Sequence, residues 1–359
     1  MSYVELRAEL QRQLIDTVEV FEAWREANIE KSRRYAGSMR WVKRGGHRYL
    51  LRKVGNREHS LGLQSPRTEE ACEAFLRGRK QNKDKLAGLA ARLDEMAPIN
   101  KAMGLGRLPR IAARILREID RRDLLGHQLF VVGTNALFAY EARSGIRIKS
   151  ELLSTEDVDL MLDARQRLSL VGREVKEVGL LGIIRKLDTS FDLRRRGDYR
   201  AVNGDYRAVN RDGYHVDLIR PEVRGVFGDE TGDSLSELDE ELHGSPIEGL
   251  NWLVNAPRFE AVAIADDGYP APIVCIDPRV FALHKAWMSA RLDRDPRKRK
   301  RDREQAVTCA DIAVTRLGLS FEDVSSLSVL PAEIRAMRNT IFSPNKSRTG
   351  DSANDMPNW

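Results

Sequence analysis

Apolar and polar residues alternate along this chain in three regimes. Residues 4 to 30 place Val4, Leu6, Leu10, Leu14, Val18 and Phe21 near helical spacing, which predicts an amphipathic helix. Next come short runs holding Trp41, Val42, Tyr49 and Leu50, broken at Gly45-Gly46 and Gly55-Asn56, which predicts a small antiparallel sheet. Thr68, followed by Glu69 and Glu70, reads as a helix start. Two helices over about 68–96 and 108–124 lead into the apolar strand "HQLFVV". From 127 to about 275 strands and helices alternate. After Pro278 the period is helical again in "RVFALHKAWMSARL" and "KRDREQAVTCADIAVTRL". The closing "SPNKSRTGDSANDMPNW" is polar and predicts a disordered tail.

This division gives an α+β chain with an N-terminal helical and small-sheet region (1–126), a core of mixed strands and helices (127–276), a C-terminal helical domain (277–343) and a tail (344–359). A perfect tandem heptad, "GDYRAVN" at 197–203 and 204–210, interrupts the core. Two copies are too few for a solenoid. Growth of a hairpin loop is the simpler expectation, and its Tyr199-Arg200 and Tyr206-Arg207 units would also suit a nucleic-acid-binding loop.

At 359 residues and 42% apolar composition the chain can bury more than one core. Lysine and arginine number 60 against 54 aspartates and glutamates. That excess is small but clustered, as suits an anionic partner. Residues 33–53 interleave cations with Tyr35, Trp41 and Tyr49, a pattern fit for RNA or for a packed small sheet. The run "RDPRKRKRDR" fits an RNA backbone or a solvated loop. Cys72, Cys275 and Cys309 have neither metal-site nor disulfide spacing. Without an apolar leader or a membrane-length apolar run, a cytoplasmic protein is expected.

The chemistry concentrates in "EDVDLMLD". On a strand, Val158, Leu160 and Leu162 share one face, while Asp157, Asp159, Met161 and Asp163 share the other. Asp157 and Asp159 therefore project together, as a hard divalent cation requires. Asp163 reads as an exposed residue at the strand end. In "GYHVDLIRP", Val216 and Leu218 lie on one face and His215, Asp217 and Ile219 on the other. If the two strands are neighbours, Asp217 becomes a third ligand, and three carboxylates can hold Mg2+ with substrate phosphates completing the shells. Upstream, Gly133 permits a tight turn, Thr134 offers a hydroxyl, and Asn135 leads into a helix whose N-terminus suits phosphate. His215 and His284 read as packing residues or as supports behind the metal ligands, rather than as bases.

These elements, Gly133-Thr134, Asp157-Val158-Asp159 and Asp217, resemble the DNA polymerase β-like nucleotidyltransferase superfamily, which has Ser or Gly where this chain has Thr134. The stretch from about 128 to 310, with "GTNALFAYE", "STEDVDL", "GYHVDLIRP" and "DPRVFALHKAWMSAR…KRKRDREQA", is similar to bacterial nucleotidyltransferase-like proteins related to abortive-infection toxins. The resemblance implies a polymerase β-like core and a Mg2+-dependent transfer of NMP from an NTP to an acceptor hydroxyl. The acceptor it implies is an RNA end, chiefly tRNA, with an antitoxin as a protein partner. It assigns Lys285 to the triphosphate and Arg301-Asp302 to a supporting helix. Arg291, six residues beyond Lys285, falls about 120° around the helix and is assigned to the nucleotide or acceptor. Two rival readings stay open: an enzyme that modifies a small molecule such as an antibiotic, and a non-catalytic RNA-binding module of the same fold.

Overall fold

The computed structural model describes residues 2–163, 173–195, 206–222, 234–238, 240–247 and 250–342. The first heptad copy and the tail 344–359 lie outside them. The chain opens with β1 (Tyr3–Glu5), then α1 (Ala8–Arg33), β2 (Ser38–Arg44), β3 (His47–Val54), β4 (Arg57–Leu63) and α2 (Pro66–Ala102). Ser65 caps α2 by accepting from the Thr68 amide, and Pro66 occupies its first turn, so the helix begins two residues before Thr68. One compact unit comprises Arg7–Arg110 with Ile264–Ala271. In it α1 packs along α2, with the Asn82 side chain donating to the Ala27 carbonyl at 3.0 Å. The strands β2, β3 and β4 form the expected antiparallel sheet.

The second unit takes Met1–Leu6, Ile111–Ala263 and Pro272–Trp359. After α3 (Arg110–Arg121) come β5 (Leu129–Val132), a one-turn 3-10 helix over Gly133–Asn135, α4 (Ala136–Ser144), β6 (Ile146–Ile148), α5 (Ser150–Leu153) and β7 (Asp157–Leu162). They are followed by α6 (Arg173–Leu187), β8 (Asp192–Arg195), β9 (Tyr206–Val209), β10 (His215–Pro221), β11 (Ser245–Ile247), α7 (Asn251–Asn255), β12 (Arg258–Ile264) and β13 (Pro270–Ile276). The helices α8 (Pro278–Ala290) and α9 (Pro296–Thr315) pack closely on one another. Three short helices close the described chain: α10 (Val324–Leu327), α11 (Ala332–Ala336) and α12 (Arg338–Phe342).

The main sheet runs β12-β13-β5-β7-β10-β9-β8, with β11 beside β10. It is mixed: β13–β5, β7–β10 and β10–β11 are parallel, while β5–β7, β10–β9 and β9–β8 are antiparallel. The fold is therefore α+β, with helices flanking a mixed sheet. Leu129, Phe130, Val131, Val158, Leu160, Met161, Val216 and Leu218 are fully buried, as central strands demand. No helix among the described residues is long and apolar enough to cross a membrane.

The heptads need a correction. The second copy is not loop: Tyr206–Val209 is β9, hydrogen-bonded to strands on both sides. Ala208 and Val209 are buried in it, so the repeat carries strand-forming residues as well as turn residues.

Candidate active site

The two central strands set the acids side by side. Parallel pairing of β7 with β10 puts Asp217 beside Asp159 and His215 beside Asp157. One oxygen from each of Asp157, Asp159 and Asp217 lies within 4.8 Å of the others. Asp217 is buried, and Asp157 and Asp159 are half-exposed. Three carboxylates this close repel one another in the absence of a cation. An all-oxygen donor set of this kind fits a hard divalent ion such as Mg2+. The expected union of Asp157, Asp159 and Asp217 is therefore realised.

The turn after β5 is built around these acids. Gly133 has φ +67°, and a Cβ placed there would come within 2.3 Å of Asp159 Oδ2. Glycine is required twice over, for the left-handed backbone and for the approach of the carboxylate. Asn135 is buried, and its amide donates to the Asp157 carbonyl at 2.6 Å, fastening the turn to β7. Thr134 is also buried, with its hydroxyl 3.5 Å from the Gln305 amide of α9, which donates to the Leu152 carbonyl at 2.7 Å. Thr155 donates its hydroxyl to Asp157.

Two further side chains border the acids without having been singled out as part of the metal site from sequence. Continuing the β9–β10 register sets Arg207 opposite Asp217, and its Nη2 donates to Asp217 Oδ2 at 2.8 Å. Arg207 Nη1 lies 3.3 Å from His215 Nδ1. Tyr214 is buried, and burial, reinforced by the charges of Asp157 and Asp159, raises its phenol well above the ordinary range. It remains protonated at any physiological pH.

A second charged cluster joins α8 to α9. Lys285 is buried and donates to Asp302 Oδ1 at 2.7 Å, and Arg294 reaches Asp302 Oδ2 at 3.0 Å. Burial alone would raise the Asp302 carboxyl, but Lys285 and Arg294 outweigh it and hold it below the usual range. Burial, helped by the charges of Arg294 and Arg301, lowers the Lys285 pKa against the pull of Asp302, and Arg301 donates to the Ser154 carbonyl at 3.2 Å. Arg291 turns to Asp293 at 2.7 Å and lies over the Trp287 ring. His284 packs against Trp252 and Trp287, as expected, and burial lowers its pKa to about 3.

Asp163 differs from expectation. It is buried, not exposed, and Arg258 approaches it at 3.7 Å. The alternation of "DVDLMLD" was read correctly, but the β12 arginine that accompanies the third acid is remote in sequence.

A family model described as "Nucleotidyltransferase" matches residues 110–328, well over half of the chain. The chain belongs to a nucleotidyltransferase family. It is an enzyme of that class, with Asp157, Asp159 and Asp217 as its candidate catalytic acids and an NTP as the substrate the family implies. No curated protein and no solved structure matches it. The match begins at Arg110, at the start of α3, and takes in the turn, the triad strands and the α8–α9 cluster of this nucleotidyltransferase.

Proposed function

We propose that this nucleotidyltransferase moves an NMP from an NTP to a hydroxyl at an RNA end, in the manner its resemblance to toxin-related relatives implies, with tRNA as the leading acceptor. The observation that carries the reading is the register-paired triad of Asp157, Asp159 and Asp217 beneath the Gly133 turn. The three acids would hold Mg2+. When bound, divalent ions supply neutralisation of charge on the transferring phosphoryl group and ease ionisation of the attacking hydroxyl.

The chain's own groups do the rest. The acceptor oxygen attacks the α-phosphorus in line, the α–β bridging bond breaks, and pyrophosphate leaves. Asp217, with one oxygen held by Arg207, offers its other oxygen to the acceptor proton. Gly133 and Thr134 border the phosphates, with Asn135 holding their turn in place. In the α8–α9 cluster one aspartate is set against Lys285 and Arg294, with Arg301 nearby, so a net positive charge remains for the leaving triphosphate. In this reading Asp302 supports Lys285, and Arg291 serves the acceptor side.

Incubating the protein with each α-labelled NTP, Mg2+ and total RNA tests the reading. We expect label in a discrete RNA band with one preferred NTP, and arrest of growth on expression of the wild type but not of Asp157→Asn, with an antitoxin able to relieve it. Label in a small molecule instead would transfer the assignment to the antibiotic class. RNA binding with no pyrophosphate release would leave a non-catalytic module.

A further inference from the structure

The chain's positive charge resides in one small element. Residues 33–64 hold nine lysines and arginines and a single acid, Glu58. The whole chain exceeds neutrality by six, so everything outside this segment is net acidic. The segment comprises β2, β3, β4 and their flanks.

Its two faces differ. On one, Arg52 donates to the Arg34 carbonyl at 2.8 Å and lies over the Phe75 ring of α2 at 5.2 Å, with Leu50 fully buried nearby. That is the packed face. The other buries Leu51 at its centre but carries exposed Arg40, Arg44, His47 and Lys53 around it, with Val42 and Tyr49 half-buried. Arg40 is bonded to Glu58 at 2.8 Å. At the β2–β3 tip, Arg44 pairs with His47 around Gly45-Gly46, whose φ values of +56° and +84° make the two-residue turn suited to a twisted hairpin. A Cβ at either glycine would meet nothing within 4 Å among the described residues, so the turn itself is open.

The pairing is costly for the sheet itself. Lys43 lies directly opposite Arg48, and like charges so placed destabilise a strand pair. The helices of the same unit balance their charges instead, through Glu30–Arg34 and Glu73–Arg77. The sheet's one acid, Glu58, is set opposite Lys53 and bonded to Arg40, which leaves its other cations without an acid of the same sheet.

We infer that the exposed face and tip of β2–β4 are a docking surface for the sugar-phosphate backbone of a structured RNA. The strands contain no Asn or Gln, the residues that grip adenine edges in pairs, so the surface positions a backbone and reads little sequence. The half-buried Tyr49 gives an unstacked base a ring to rest on. Only the choice of RNA over DNA rests on the acceptor proposed above.

The test uses the full chain and a fluorescent RNA hairpin, with affinity measured by anisotropy over a range of KCl. Neutralising Arg40→Gln, Arg44→Gln and Lys53→Gln together, three exposed cations of that one face, should weaken binding at least about tenfold near physiological salt. It should also flatten the log K against log salt slope by about 2 to 3, as loss of three phosphate contacts requires. The melting temperature should change by a few degrees at most, since the pairings lost with Glu58 are solvent-exposed. Arg297→Gln, Lys298→Gln and Lys300→Gln remove equal charge from the start of α9 and serve as the comparison. Loss of affinity in the α9 set but not the sheet set would overturn the proposal, as would equal loss in both or no binding by the wild type. A DNA hairpin bound as tightly as its RNA counterpart would overturn the choice of RNA. If the wild type binds through the sheet but transfers no nucleotide, the transfer reading falls and the surface stands. If the sheet set binds RNA like wild type and transfer persists, the surface falls and the transfer reading stands.

Discussion

Two charged clusters in the same unit are unbalanced in opposite senses. Beneath the Gly133 turn, Asp157, Asp159 and Asp217 gather three negative charges, with the Arg207 guanidinium on Asp217. Between α8 and α9, one aspartate, Asp302, faces Lys285 and Arg294, with Arg301 near. Ion clusters that serve stability alone tend toward neutrality, because a buried excess charge costs several kcal/mol. On the proposed reading a cation completes the first cluster and an anion the second, and an NTP with its divalent ions would supply both. The two imbalances together say more than either does, since acids alone are common on strand ends and a buried lysine alone is often structural.

The comparison breaks most sharply at Asp217. Asp217→Asn keeps a carbonyl oxygen for Arg207 but removes a metal ligand and proton acceptor. We expect turnover, followed by pyrophosphate release, to fall about a thousand-fold, while affinity for a non-hydrolysable NTP changes only a few-fold, because contacts made in the transition state act on kcat. Equal losses in turnover and in NTP binding would reassign Asp217 to ground-state binding.

The cationic cluster is tested by stability. Lys285→Met leaves Asp302 fully buried with Arg294 paired to it. We expect a loss of about 3 kcal/mol in urea unfolding, the low end for breaking a buried pair. Adding Asp302→Leu should recover much of it, since an apolar replacement of both charges removes the stranded one. No recovery would mean that Asp302 has further structural duties.

A smaller effect comes from His284 on the flank of that cluster. Its pKa of about 3 when folded, against 6.5 for the ordinary group, means that the unfolded chain takes up a proton first as pH falls. Stability should therefore decline from about pH 6.5 downward, by about 2 kcal/mol at pH 5. His284→Phe, which keeps a ring against Trp252 and Trp287, should lack that part of the slope. An unchanged slope would place the acid sensitivity elsewhere.

The smallest effect concerns the heptads. Deleting 197–203 or 204–210 yields the same sequence, so the surviving copy still supplies Tyr-Arg-Ala-Val to β9 and an arginine opposite Asp217. Only the connection from Arg195 to Tyr206 shortens, from ten residues to three that include a glycine. Three-residue hairpin loops are common, and loop length acts weakly on stability. We expect a change below about 1 kcal/mol, read by melting, and full turnover. Loss of turnover would give the added length a catalytic role.

What could be read from the chain follows locality. The period-2 alternation of "DVDLML" and "YHVDLI" placed Asp157, Asp159 and Asp217 on usable faces, and the helices of both ends followed their own periodicity. The partners of these residues are set by pairing between distant segments. Arg207 meets Asp217 only through the β9–β10 register, Arg258 reaches Asp163 only because β12 lies in the same sheet, and Gln305 meets Thr134 only once α9 has folded. Gly133 was legible as a turn, but the carboxylate that forbids a Cβ there was not. The duplicated heptad misled because its Gly-Asp half has turn composition while its Tyr-Arg-Ala-Val half is strand.

The central claim is that Asp157, Asp159 and Asp217 are a cation site rather than a structural knot. Calorimetric titration of Mn2+ into the metal-free protein and into Asp157→Asn and Asp159→Asn tests it most directly, with melting temperatures measured alongside. We expect saturable binding by the wild type, its loss in each variant, and melting temperatures of the metal-free variants equal to or above wild type as mutual repulsion is relieved. Undiminished Mn2+ binding in both variants, or a collapse of their melting temperatures, would contradict the claim.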